Sequence, residues 1–321
     1  MPPASLLLEE RSLRHAWKME GCGNDFIISW LPEEPCIALP EPRWVQRVCD
    51  RHFGVGADGW IGLKPTGSQQ AQWYYFNSDG SPASFCGNGA RCAALALILR
   101  HRLLQLDSRA TDRASAVNPL NWILESELGT VMATRIANSQ GSLITPMPSL
   151  ESHFRGWEPP QEVIRLGLPE CFQPPFHLRP VPVRFHDGAI VLATPITMGV
   201  PHLVVESHEE KTTWKTLGAS LAAHPLCGPQ GCNVTFFAPL GPGKIRAATY
   251  ERGVNDLTLS CGSGALAAAV AYRQAYATPF PCSVSMPGGT LLVTQDNAQL
   301  ALEGPAHFIS ALTLGWPSLP Q

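Results

Sequence analysis

The stretch Cys86-Gly87-Asn88-Gly89-Ala90-Arg91-Cys92-Ala93-Ala94 returns as Cys261-Gly262-Ser263-Gly264-Ala265-Leu266-Ala267-Ala268-Ala269, 175 residues further along the chain. Each copy opens C-G-x-G-A and runs into Ala and Leu, strong helix formers with few charges. The pattern therefore predicts two buried central helices, extending to about Arg102 and about Tyr276. Asn88 or Ser263, beside the glycines, is expected to mark the N-terminal turn. The spacing is too long for a solenoid repeat and suits two copies of one domain, so the chain reads as an internal duplication.

Outward from the two helices lie short apolar or alternating runs at 25–30, 73–76, 122–125, 130–136, 189–193, 203–205, 234–238, 245–250, 291–294 and 308–314, bounded by Gly, Pro, Asn and Asp. These predict strands of a hairpin-rich sheet. The expected fold class is α+β: two pseudo-symmetric domains, each a curved, mostly antiparallel sheet wrapped around a central helix, with a cleft between them. The first domain is expected over 1–140 and the second over 141–304, with 305–321 packing back on the first. Proline-rich stretches at 32–42 and 146–182 read as loops, the second as the interdomain linker.

Composition bounds the partners. With 321 residues, 45% hydrophobic content and a net charge of −3, the chain is too apolar to be disordered and has no basic field for nucleic acid. Its 28 glycines and 30 prolines point to many turns rather than a helical bundle. The ten cysteines would suggest a disulfide framework in a small secreted protein, but here they are diluted over a long chain. The run Leu6-Leu7-Leu8 is followed at once by Glu9 and Glu10, which predicts neither an export signal nor a membrane span. The expectation is a cytoplasmic protein with reduced thiols, most of them packing residues.

Two thiols stand apart. Each motif cysteine sits where a helix starts, and the unsatisfied N–H groups and dipole there favour an anion, which is expected to lower the thiol pKa. The adjacent glycines let a ligand approach the backbone. Two such starts facing each other across a cleft put thiols on opposite faces of one small anion, so that one removes a proton from a stereocentre and the other returns one.

Further segments carry a specific resemblance: Lys18-Met19-Glu20-Gly21-Cys22-Gly23-Asn24-Asp25-Phe26, Gly54-Val55-Gly56-Ala57-Asp58-Gly59, Phe76-Asn77-Ser78-Asp79-Gly80-Ser81, Met198-Gly199-Val200-Pro201-His202, Asn233-Val234, Tyr250-Glu251-Arg252-Gly253 and Gly304-Pro305-Ala306. With the two C-G-x-G copies and in this order, the chain resembles the diaminopimelate epimerase family of cofactor-independent amino-acid epimerases. The resemblance implies that Cys86 and Cys261 are the acid/base pair. It implies that Asn24, Asn77, Asn233, Glu251 and Arg252 hold the amino and carboxylate groups of the substrate. Gly87, Asn88, Gly262 and Ser263 would offer backbone N–H groups to the reacting carboxylate, with His202 close to the cysteines. The implied reaction converts LL-diaminopimelate to the meso form, a lysine and peptidoglycan precursor, with no metal and no cofactor. The implied partner is a small amino acid, with no nucleic acid and no membrane, and a homodimer is an allowed assembly.

Two departures bear on the substrate. Val200 stands where the family usually has Asn, and the segment from Gly253 to Cys261 is one residue longer than the common G-V-G-E-T-x-A-C. Insertions are expected near 106–120 and 151–176. A racemase of another amino acid on the same fold, such as histidine, stays open. A dinucleotide reading of Gly262-Ser263-Gly264-Ala265-Leu266-Ala267 lacks a ribose-binding acid, since no Asp or Glu occurs from Leu257 to Gln295. In the first copy Asp107 lies at a suitable distance, but Pro82 interrupts the preceding strand. A non-enzymatic ligand binder is a third class, and retention of both cysteines argues against it. Cys22, Cys36, Cys49, Cys92, Cys171 and Cys282 read as packing, Cys22 with a place near the cleft. His224, Cys227 and Cys232 lack the second ligand pair of a zinc site.

Overall fold

The computed structural model of the chain describes residues 13–32, 39–107, 121–126, 129–136, 161–169, 172, 178–185, 187–209, 211–297 and 299–315. The first half runs β1 (Leu13–Gly21), β2 (Asn24–Trp30), α1 (Pro42–Cys49), β3 (Gly59–Gly67), β4 (Gln70–Asn77), β5 (Pro82–Ala83), α2 (Gly87–Asp107), β6 (Asn121–Ser126), β7 (Gly129–Ile136) and β8 (Gln161–Gly167). After β9 (Val181–Arg184), the second half runs β10 (Ile190–Met198), β11 (Val200–Glu206), α3 (Lys211–Ala222), β12 (Asn233–Gly241), β13 (Lys244–Glu251), β14 (Asp256–Leu257), α4 (Gly262–Tyr276), β15 (Cys282–Met286), β16 (Gly289–Asp296) and β17 (Gln299–Gly315).

The strand pairings repeat between halves. β1–β2 is antiparallel, β2–β3 parallel, β3–β4 antiparallel, β4–β6 parallel, and β6–β7 and β7–β8 antiparallel. The same series of directions runs from β10 to β17. Parallel neighbours need a crossover, and α1 and α3 supply it in equivalent places, as do α2 and α4. The fold is thus a duplicated α+β unit, with the long β17 pairing with β16 and β8 near its start and with β1 over its second part.

Each sheet curls around its helix because both helices are apolar on nearly every side. Ala90 and the run 92–99 are buried on α2, as is 264–272 on α4. Met19, Phe26, Ile61 and Trp73 close over α2, and Leu291, Val293 and Leu302 join the same core. α2 reaches Asp107, five residues past the predicted end, whereas α4 stops at Tyr276 as predicted.

The expected loop at 146–182 is corrected by β8. Ile164 and Leu166 are buried there while Arg165 bonds Glu303 and Thr294 from the strand's other side, so an amphipathic strand was hidden among prolines. The described part of the 151–176 insertion is this strand, with residues 168, 169 and 172. The 106–120 insertion lies outside the described residues beyond the end of α2. β3 was missed because Gly59, Gly62 and Gly67 depress its strand propensity. At Gly62 an added Cβ would sit 2.6 Å from the Trp60 ring and 2.8 Å from Leu31, so packing requires the glycine.

Candidate active site

The N-termini of α2 and α4 meet head to head. A Cβ built on Gly87 would lie 3.6 Å from Gly262 Cα, and one built on Gly262 would lie 3.4 Å from Gly87 Cα, with Leu302 closing the gap at 3.1–3.2 Å from both. A Cβ at either glycine would only touch the facing helix start and would press on the Leu302 side chain, so the two glycines leave the junction itself uncrowded. The cysteines themselves occupy the positions before the first turn: Cys86 O accepts from Ala90 N–H at 2.8 Å and Cys261 O from Ala265 N–H at 2.9 Å. Asn88 and Ser263, expected to mark the N-terminal turns, are the second residues of α2 and α4, and the cysteines precede the helices.

Around Cys86 the polar groups come from the first half. Its Sγ lies 3.7 Å from Asn24 Oδ1 and accepts from Gly89 N–H at 3.4 Å. Asn24 is fixed at both ends of its amide: Nδ2 donates to Asp58 at 2.8 Å, and Oδ1 accepts from Asn88 Nδ2 at 3.1 Å. Behind it, Lys18 and Arg51 pair with Asp25, and Arg51 also reaches Asp58. Burial opposes ionisation of Asp25, yet hydrogen bonds from Arg51 and Lys18 outweigh it and hold the carboxyl at about 2. Asn77 accepts from Tyr75 Oη at 2.9 Å and donates to Ser81 Oγ at 3.0 Å.

Cys261 has a different set. Its Sγ is 3.5 Å from Ser263 Oγ, and the Glu251 carboxylate is near enough to raise its pKa. Ser263 Oγ continues to His202 Nε2 at 3.0 Å, His202 Nδ1 to Thr235 Oγ1 at 2.9 Å, and Thr235 to Thr249 at 3.1 Å. Glu251 accepts from Thr258 Oγ1 at 2.5 Å, and burial pushes its carboxyl up. Asn233 Oδ1 accepts from Arg252 N–H at 2.9 Å, while the Arg252 guanidinium donates to Gln230 O and Gly231 O.

The halves differ at matching positions. Asn24 opens β2 as Val200 opens β11, and Tyr75 faces Ile61 as Thr249 faces Thr235. Val200 therefore offers Cys261 no counterpart of Asn24, and the hydroxyl–imidazole chain through Ser263 stands there instead.

The expected lowering of the thiol pKa is overturned. Burial pushes Cys86 up to about 11, ahead of the Gly89 N–H and Arg91 that oppose it. Burial and the Glu251 carboxylate push Cys261 well above the ordinary thiol range. The helix starts do supply favourable donors, but desolvation of a buried thiolate outweighs them.

A family model described as diaminopimelate epimerase matches residues 16–114 and 194–309. A diaminopimelate epimerase of Aquifex aeolicus is 30% identical over 304 residues, covering 91% of this chain and 94% of that relative. One of Xylella fastidiosa is 31% identical over 301 residues, covering 92% and 94%. The chain belongs to the diaminopimelate epimerase family. Among solved structures, a hydroxyproline epimerase of Agrobacterium vitis with bound trans-4-hydroxy-L-proline superposes with a TM-score of 0.58 at 13% identity, covering 96% of this chain and 94% of that one, which bears on the fold.

Against that family pattern, several residues escaped the sequence reading. Arg91, inside the first motif, is fully buried and donates to Asn88 Oδ1 at 2.7 Å, Gly87 O at 3.3 Å and Pro305 O at 3.2 Å. It thereby ties the start of α2 to β17. Ser260 O accepts from Asn88 Nδ2 at 3.1 Å, joining the two cysteine segments directly. Tyr75 and Thr258 were unmarked, and only the motif Gly54–Gly59 hinted at Asp58. The expectation of reduced thiols is corrected at one place: Cys227 and Cys232 form a disulfide. It closes the loop whose Gln230 and Gly231 carbonyls hold Arg252, and His224 beside it accepts from Leu226 N–H at 3.3 Å. Cys22, Cys49, Cys92 and Cys282 are free and buried, as packing thiols should be; Cys36 and Cys171 lie outside the described residues. Among the described residues no helix is long and apolar enough to cross a membrane.

His202 supplies a pH prediction. Burial, with Arg252 adding to it, lowers its pKa to about 3 from an ordinary 6.5, so the folded ring is neutral and both nitrogens serve the hydroxyl chain. The stability it contributes is complete above pH 6.5 and is lost as pH falls from there towards 3. Imidazole NMR is expected to show no titration of His202 between pH 5 and 8. A midpoint near 6.5 would contradict the buried placement.

Proposed function

We propose that this chain is a cofactor-independent amino-acid epimerase that converts LL-diaminopimelate to the meso form with two thiols. The observation that carries the reading is the head-to-head meeting of two helix starts at Gly87 and Gly262, each with its own cysteine and its own polar set. A carboxylate at that junction faces the first N–H groups of both helices, which lack acceptors within the helix. Two partial positive charges then act on one small anion where charge develops as the α-proton leaves.

The raised thiol pKa serves the chemistry. An α-proton is a very weak acid, and the thiolate of a thiol with pKa about 11 is a strong base for it, but it is scarce near neutral pH until a neighbouring group takes its proton. In this scheme Glu251 takes the Cys261 proton, which converts that thiol to the base, while Cys86, hydrogen-bonded towards Asn24, supplies a proton from the opposite face. In the reverse direction the roles exchange. Asn77, Asn233 and Arg252 hold the far amino and carboxylate groups, and His202 keeps Ser263 oriented. This chemistry asks for neither a metal nor pyridoxal, and its free thiols suit a reducing cytoplasm.

A panel of amino acids followed by chiral chromatography tests the assignment. Turnover of LL-diaminopimelate, without added cofactor and well above that of L-histidine, is expected. Turnover of histidine with none of diaminopimelate would move the substrate to another amino acid, with Val200 as the first place to look.

A further inference from the structure

Cys261 stands at the open end of a column of hydroxyls that the scheme above uses only in part. His202, Thr235 and Thr249 are buried at the first turn of α4. The column fits because residue 264 is glycine: a Cβ there would lie 2.1 Å from Thr249 Oγ1 and 3.1 Å from Thr235 Oγ1. Its contacts run from Thr249 Oγ1 to Thr235 Oγ1 at 3.1 Å, on to His202 Nδ1 at 2.9 Å, from His202 Nε2 to Ser263 Oγ at 3.0 Å, and from there to Cys261 Sγ at 3.5 Å. Among the described residues neither threonine hydroxyl has a further partner. Two hydroxyl protons therefore fill the two contacts at the closed end. A proton on Nδ1 as well would leave one of the three buried without an acceptor.

We infer that Thr235 is a positioning residue for Cys261: its hydroxyl fixes His202 as the Nε2–H tautomer and so turns the Ser263 hydroxyl proton on to the sulfur. Burial keeps the ring neutral, and with Nε2–H donating to Ser263 Oγ the serine proton is left for Cys261. The two thiols are thereby met by groups of opposite kind. Cys86 faces an acceptor, Asn24 Oδ1 at 3.7 Å, which suits an S–H. Cys261 faces a donor, which suits a thiolate. The first half has no such column, since Ile61 stands where Thr235 does. The Glu251 carboxylate opposes a thiolate at Cys261, and that opposition ends when Glu251 holds the proton, whereas the Ser263 donor is in place throughout. No proton travels along the column. The proposal rests on the two-thiol reading and deepens it by assigning Cys261, rather than Cys86, as the thiol whose surroundings favour loss of the proton.

The test uses the full-length protein without substrate. Long-range proton–nitrogen NMR of nitrogen-15-labelled protein is expected to show His202, identified by its absence in His202→Gln, protonated on Nε2. Thr235→Val removes the hydroxyl at nearly constant shape. It is expected to shift His202 towards the Nδ1–H tautomer, in which Nε2 takes the Ser263 proton away from the sulfur. Iodoacetamide, which reacts with thiolates, should then alkylate Cys261 about five- to tenfold more slowly at pH 8, with Cys86 changed by less than about twofold. The tryptic peptides ending at Arg273 and Arg91 report the two thiols separately by mass spectrometry. Thr249→Val leaves one proton for one contact, and Thr235→Ser keeps the hydroxyl, so both should hold the wild-type tautomer and Cys261 rate. The proposal is overturned if wild-type His202 carries its proton on Nδ1, or if Thr235→Val leaves the Cys261 rate within about twofold of wild type or slows both thiols alike. It is equally overturned if Thr249→Val or Thr235→Ser matches Thr235→Val, which is the outcome of a purely packing role. Because no substrate is present, a wrong substrate assignment leaves this result intact, and failure here leaves the epimerase reading standing.

Discussion

Cys86→Ala and Cys261→Ala are each expected to lower kcat/KM for epimerisation on the order of 10³-fold or more, the scale of losing one positioned acid or base. The two variants should be equally damaging in both reaction directions, because each thiol is the base one way and the acid the other. Their folding should be nearly intact. Cys261 is 7% exposed and Cys86 half-buried, and trimming a sulfur from either leaves the helix start and its glycines in place. A thermal melt within a few degrees of wild type separates loss of chemistry from loss of structure. A variant that keeps a tenth of the wild-type rate would show that its thiol is not one of the two bases.

Asn88→Ala is expected to cost both stability and activity. Asn88 is 1% exposed, and its amide donates to Asn24 Oδ1 and to Ser260 O while accepting from Arg91. Alanine would leave a buried guanidinium short of a partner and Ser260 O without its donor. The loss of a hydrogen bond to a charged group dominates and amounts to about 3 kcal/mol in urea unfolding. The kinetic effect follows from position, since Asn88 fixes Asn24 beside Cys86 and also holds the residue before Cys261. A fall in kcat of roughly 100-fold is expected, as small displacements of reacting groups are costly. Unchanged stability would mean that Arg91 is satisfied by Gly87 O and Pro305 O alone.

The duplication and the two cysteines were legible because they are written locally: a C-G-x-G-A start followed by alanines is both a helix signal and a chemical one. Strands rich in Val, Ile and Tyr were equally legible, as at β12 and β13. Elements whose residues are chosen for contact rather than propensity were not. β3 carries three glycines, one of which makes room for Trp60 and another for Tyr75. β8 sits among prolines. α1 is amphipathic but only eight residues long, and α3 has little apolar contrast. Arg91 is concealed inside an alanine helix, and nothing local says that its charge will be buried between Asn88 and Pro305. The thiol pKa was misjudged for the same reason: the sequence displays the helix start, which favours a thiolate, and hides the desolvation, which disfavours it more.

The central claim, one thiol on each face of the α-carbon, is tested most directly by running the reaction from LL-diaminopimelate in deuterated water to low conversion. Two bases predict that the meso product carries solvent deuterium at its inverted carbon while the recovered LL substrate stays unlabelled, because the proton removed by one thiol is not the one delivered by the other. Deuterium appearing equally in substrate and product, or product formed without label, would contradict the account.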